Sequence, residues 1–165
     1  SSGAGIEGTA EVYVTQVERF KSDTDTNVNI VKTTLMIDLT GLASSGADDI
    51  IGKAGTGVAY IGRVTTEDTG AVFGVTMECY ETPAGGDPDI DLYSATEATG
   101  VEDTAITALT ETLIINSGDL TAGSRVAGGT IVADQYLYLV AGSATNADYT
   151  AGRIVITIHG YDVAS

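Results

Sequence analysis

A chain of 165 residues can bury roughly 70% of the surface its unfolded form exposes, so a single domain of this size needs no disulfide or metal to hold it. Seven basic residues against 23 acidic ones give a formal charge of −16 and a pI near 4.1, which argues against nucleic acid and anionic membrane as partners, because phosphate binding depends on clustered Lys and Arg. The longest apolar run, Tyr136 to Ala141, is strand-sized and far short of the ~20 residues of a membrane-spanning helix.

Ser1 to Gly8 is small and polar and is expected to be an extended arm, leaving residues 9–165 as a single β-sandwich domain. Ser1 to Gly5 has neither the basic region nor the apolar core of a signal peptide, so none is expected there. Gly3-Ala4-Gly5-Ile6-Glu7-Gly8 carries the letters of a dinucleotide-binding loop, but no strand precedes it and no helical pattern follows. Thr9 to Phe20 is a β-rich run ending in the polar cluster Lys21 to Asn27, and Val28 to Leu39 alternates, with Val31, Thr33, Leu35, Ile37 and Leu39 on one face and Lys32, Thr34 and Asp38 on the other. Such alternation belongs to a sheet with one wet face.

Thr40 to Gly57 reads as a long loop anchored by Ile50 and Ile51, its Gly52-Lys53-Ala54-Gly55-Thr56-Gly57 being a turn that lacks the ending of a phosphate-binding loop. Gly57 to Val64 is expected to be a strand with Val58, Tyr60 and Val64 on one face, and Thr65 to Gly70 a turn. Ala71 to Tyr80 is the central strand: Phe73, Val75, Met77 and Cys79 share one face, Gly74, Thr76 and Glu78 the other. Cys79 is the only cysteine, so no internal disulfide can form, and its position suits a small buried hydrophobe. An acidic loop, Glu81 to Ala95, leaves this strand.

Thr96 to Glu111 mixes a helical stripe of Ile106, Leu109 and Leu113 with many threonines, and is expected to be a short helical turn or irregular entry leading into a strand at about Leu109 to Ile115, closed by Asn116-Ser117-Gly118-Asp119. Ser124 to Val132 is a strand bent at Gly128-Gly129, Gln135 to Ala141 a strand covered on both faces, and Arg153 to Asp162 a last strand with Ile154, Ile156 and Ile158 inward. The expected fold is all-β, a two-sheet antiparallel sandwich of about eight strands with jelly-roll-like winding.

Asp87, Asp89 and Asp91 sit at every second residue of Gly85-Gly86-Asp87-Pro88-Asp89-Ile90-Asp91, a spacing that can converge on a hard cation, and Ca2+ is the ion such a loop would take. No glycine follows Asp91 and the twelfth position from Asp87 is Ala98 rather than Glu, so a solvated acidic turn, or a loop contacting a neighbouring subunit, is the leading reading and a bound cation the lesser one. His159, the only histidine, shares a strand face with Val155, Thr157 and Tyr161, and no nucleophile motif accompanies it. Nor does any carboxylate pair stand out for hydrolysis, and with no Trp there is no ready sugar platform. Tyr136, Tyr138, Tyr149 and Tyr161 suit a core or an interface. The expectation is a protein that is not an enzyme.

Two stretches carry a resemblance: Glu81-Thr82-Pro83-Ala84-Gly85-Gly86-Asp87-Pro88-Asp89-Ile90-Asp91-Leu92-Tyr93-Ser94-Ala95, and Gln135 to Gly142 continuing through Tyr149 to Arg153 and Gly160-Tyr161-Asp162. They resemble small virion structural proteins of marine tailed bacteriophages. That resemblance implies a capsid decoration, or cement, protein on the virion surface, bound to the major capsid protein and to copies of itself in a homo-oligomer such as a trimer. It brings no catalytic residues. The arm residues Ser1, Ser2, Gly3, Ala4, Gly5 and Ile6 are expected at the interface, adding a strand to a neighbour's sheet edge. A tail, tube or fibre-base component, and a calcium-assisted carbohydrate- or cell-surface-binding module, are the alternatives.

Overall fold

Alternation of apolar and polar residues sets the pairing of the longest strands. In β2 (Val28–Asp38), Val31, Leu35 and Ile37 are buried while Lys32 and Met36 are exposed. In β11 (Ala151–Val163), Ile154, Ile156 and Ile158 are buried, and the two strands pair antiparallel with Ile37 opposite Ile154 and Leu35 opposite Ile156. Matching phase on adjacent strands gives one continuous apolar face.

The computed structural model describes residues 12–21 and 28–163. The arm Ser1 to Gly8, with the expected interface residues Ser1 to Ile6, lies outside them. The remaining strands are β1 (Val12–Lys21), β3 (Ala43–Ser44), β4 (Gly62–Arg63), β5 (Ala71–Ala84), β6 (Ile90–Ala95), β7 (Glu111–Ile115), β8 (Arg125–Gly128), β9 (Tyr136–Ala141) and β10 (Ala147–Asp148), with a one-turn helix α1 (Thr66–Thr69) capped by the Thr65 hydroxyl. β3, β4 and β10 span two residues each, so eight strands are longer.

One sheet runs β1-β2-β11-β5-β8 and the other β4-β9-β6-β7, with every pairing antiparallel. Counting β2, β4, β5, β6, β7, β8, β9 and β11 as one to eight, the sheets read 1-8-3-6 and 2-7-4-5. This is the doubly wound Greek-key order of a jelly roll. β1 is an additional edge strand, and β3 with β10 forms a small ribbon at one end.

The main core lies between the sheets. Leu35, Ile37, Val75, Met77, Cys79, Ile154 and Ile156 from one side meet Ile90, Leu92, Leu137 and Leu139 from the other. A second apolar layer covers the outside of the four-stranded sheet, where Ile50, Ala59 and Ile106 pack on Ala95, Tyr138 and Val140. β9 is therefore buried on both faces. Ile50 and Ile51 point into different layers, their amides donating to Thr104 O at 2.9 Å and Leu139 O at 2.8 Å.

Several local expectations need correction. Phe73 is 56% exposed rather than buried. Because His159 pairs with Gly74 and Gly160 with Val72, Phe73 is an extra residue in the ladder, and this bulge turns Val72 inward in its place. Glu81 to Ala95 is not a loop: β5 continues to Ala84 and β6 begins at Ile90, leaving only a short connection. In the stretch Gly57 to Val64 only Gly62–Arg63 is strand, and Ala59 and Ile61 are buried where Val58 and Tyr60 were expected to share the inner face with Val64. The expected helical turn forms as a short 3-10 turn at Ile106–Ala108 and leads into β7, which begins at Glu111, two residues later than expected, with Leu113 exposed. Among the described residues, no helix is long and apolar enough to cross a membrane.

Candidate functional site

Two places on this frame carry unusual chemistry: the acidic connection between β5 and β6, and the outer face of the five-stranded sheet. In the connection, Gly85 adopts φ 87°, and a Cβ there would strike the Asp148 carbonyl, so the turn requires glycine. Asp87 follows, and it is fully buried. Its Oδ1 accepts from the Ser143 hydroxyl at 2.7 Å and the Asp89 amide at 3.0 Å, and its Oδ2 accepts from the Ser143 amide at 2.9 Å. Its backbone amide donates to Ser44 Oγ at 2.8 Å, and its carbonyl accepts from the Tyr149 hydroxyl at 2.6 Å. Burial holds the Tyr149 phenol well above its ordinary range, which keeps that donor protonated. Asp87 therefore ties together the segments around residues 44, 143 and 149.

Asp89 and Asp91 have fewer partners. Asp91 Oδ1 accepts from the Ser117 amide at 3.1 Å, whereas Asp89 Oδ1 is buried with no hydrogen-bond partner. The Asp89 carboxylate lies against Gly142, where any side chain would overlap it. Burial raises the Asp89 pKa, and the charges of Asp87 and Asp119 raise it further. Burial is the main cause for Asp91 too, opposed by the Ser117 amide and reinforced by Asp89, Asp48 and Asp87. The structure thus brings Asp87, Asp89 and Asp91 close together, with the oxygens of Asp87 engaged by protein donors. Among the described residues, no group of three or more carboxylate, His or Cys side chains is arranged to hold a metal ion.

Among the described residues, the outer face of the five-stranded sheet has no covering layer of the kind that lies over the other sheet. Ile30, Met36, Phe73, Tyr80 and Tyr161 project from it, and they are five of the seven large apolar side chains left exposed among the described residues. Three cross-strand rows organise it. Lys32, His159 and Gly74 form one, Thr34, Thr157, Thr76 and Ala127 the next, and Met36, Val155, Glu78 and Arg125 the third. On one side of the threonine row, Phe73 stands beside His159 and Tyr161 with ring centroids 6.3 Å away in each case. On the other side, Met36, Asp38, Tyr80, Arg153 and Val155 line a groove of about 430 Å³. Arg153 lies 3.9 Å from Asp38 and Arg125 3.7 Å from Glu78.

Sequence reading singled out the aspartates but missed this face. Its signal was present in Ile30 and Met36, apolar residues in the same phase of β2 as Lys32 and Thr34, where a wet face calls for polar side chains. No protein-family model matches the chain, and no curated protein matches it.

Proposed function

We propose that this protein is a non-enzymatic structural component of a virion, a decoration protein that binds the outside of a tailed-phage head and stabilises it. The observation that carries this reading is the sidedness of the jelly roll. Among the described residues, one sheet is sealed by the chain's own loops, and the other presents exposed apolar and aromatic side chains. Bare apolar surface of this extent on a chain with formal charge −16 suits attachment within an assembly, where many copies multiply a modest contact. Jelly rolls serve as capsid domains as well as lectin domains, and the resemblance of residues 81–95 and 135–162 to marine phage virion proteins favours the former. A strongly acidic surface keeps such a protein soluble and is screened in a salty medium.

Quantitative mass spectrometry of sedimented particles tests the proposal by comparing the copy number of this chain with that of the main shell protein. A ratio near unity, or a simple fraction of it, is expected for a symmetric coat. A ratio of a few per hundred would reassign the protein to the tail or a unique vertex, and absence from particles would refute a virion role.

A further inference from the structure

We infer that the bare face of the five-stranded sheet pairs with the same face of a second copy, about a two-fold axis running along the row Thr34, Thr157 and Thr76. The inference rests on the reading of this face as a contact surface within an assembly, and it names the occupant.

An interface between identical copies related by a two-fold axis must be self-complementary, because each feature meets its counterpart from the opposite side of the axis. This face has that property. The threonine row is low and flat, Thr76 and Thr157 both being buried among their neighbours. The aromatic ridge of Phe73, His159 and Tyr161 rises on one side of it, and the groove of Met36, Tyr80, Arg153 and Val155 opens on the other. Rotation about the row lays the ridge of each copy over the groove of its mate. On β11, Tyr161 and Arg153 lie equally far from Thr157, so each Tyr161 ring comes to face the Arg153 guanidinium of the second copy, a favourable cation and aromatic pair. On β5, Phe73 lies three residues to one side of Thr76 and Tyr80 four to the other, so the rotation brings the two rings to the same end of the contact, offset by about one residue.

Charge selects the same occupant. The described side chains of this face hold Lys32, Arg125 and Arg153 against Asp38 and Glu78, three of the seven basic residues in the chain. Carboxylates crowd instead around the β5–β6 connection, where Asp48, Asp87, Asp89, Asp91 and Asp119 act on one another. Two polyanions can approach closely only where each is locally near neutral. The size suits a weak association. Four strands at their usual spacing over the rows from Ile30 to Asp38, with the four-residue β8 beside them, cover roughly 400 Å² per copy. Two faces then bury on the order of 800 Å², the range of a weak, transient contact.

Sedimentation equilibrium of the full chain tests this. The wild type is expected to be a dimer at about 100 µM, the weak association a small contact of this kind supports. Phe73→Asp, at an exposed position, should weaken the dimer by about thirtyfold or more with an unchanged circular dichroism spectrum, while Leu113→Asp, exposed away from the face, should leave it intact. A monomeric or trimeric wild type, or a dimer indifferent to Phe73→Asp, would overturn the inference. Its failure is separable from that of the virion reading. A chain found on particles yet monomeric in solution defeats the two-fold contact alone, and a Phe73-dependent dimer absent from particles defeats the coat alone.

Discussion

Asp89→Asn is expected to stabilise the fold at neutral pH and to lose that advantage in acid. Asp89 is half-buried, its Oδ1 enclosed against Gly142 without a partner and close to the charges of Asp87 and Asp119. Burial and like charge raise its pKa in the folded state. A group whose folded pKa is raised supports stability fully below its unfolded value, near 3.9 for aspartate, and that support disappears as pH rises through the folded value. At pH 7 the ionised carboxylate therefore weighs against the fold. Asparagine has almost the same shape, so it fits against Gly142, and its amide can donate to a neighbouring carboxylate. The backbone bonds of residue 89, from its amide to Asp87 Oδ1 and from the Gly142 amide to its carbonyl, are unaffected.

A buried unsatisfied group costs about 1–3 kcal/mol, and the lower end applies because Asp89 keeps some contact with water. A gain of about 1 kcal/mol corresponds to a rise of about 2–4 °C in Tm for a domain of this size. Thermal unfolding followed by circular dichroism at pH 7 and again below the unfolded aspartate pKa, at physiological ionic strength to screen remote charge, measures both halves of the expectation. A variant less stable than wild type at pH 7, or a gain of equal size at both pH values, would refute the reasoning.

Two further tests follow from the same structure. At a few micromolar, well below the dimer range, Phe73→Ser should change stability by no more than about 0.5 kcal/mol, whereas Val75→Ala, two residues on and buried, should cost on the order of 2 kcal/mol by leaving a cavity; denaturant titration of the pair separates the bulged register from simple alternation. Calcium at millimolar concentration should leave Tm unmoved, because Ser143 and the Asp89 amide already occupy the Asp87 oxygens, and a concentration-dependent rise would show that Asp87, Asp89 and Asp91 rearrange around the ion.

What the sequence made legible was whatever is local. Val31, Leu35 and Ile37 in β2, and Ile154, Ile156 and Ile158 in β11, announce their inner face by period alone, and the opposed apolar phases of β9 announce burial on both sides. The bulge at Phe73 was illegible because it is a property of pairing with His159 and Gly160, more than eighty residues away. Asp87 was singled out for its spacing to Asp89 and Asp91, yet its environment is set by Ser44, Ser143 and Tyr149, at sequence separations of 43, 56 and 62. Spacing along a chain reports which groups can meet, and only the fold decides which do. Ile50 and Ile51 were expected as one anchor, and their division between two apolar layers depends on strands that the local sequence does not contain.

The place of β11 has a consequence for how this protein comes to exist. Though it follows every other described strand, it lies between β2 and β5 in the middle of its sheet. Until it has been synthesised, β1 with β2 and β5 with β8 are separate ribbons, each showing an unpaired edge and half of an unfinished core. Folding on the ribosome must therefore wait until residues 151–163 have cleared the exit tunnel, and the long-range pairing they complete makes the final step slow. A nascent chain of this design depends on its high negative charge to stay apart from its neighbours while it waits.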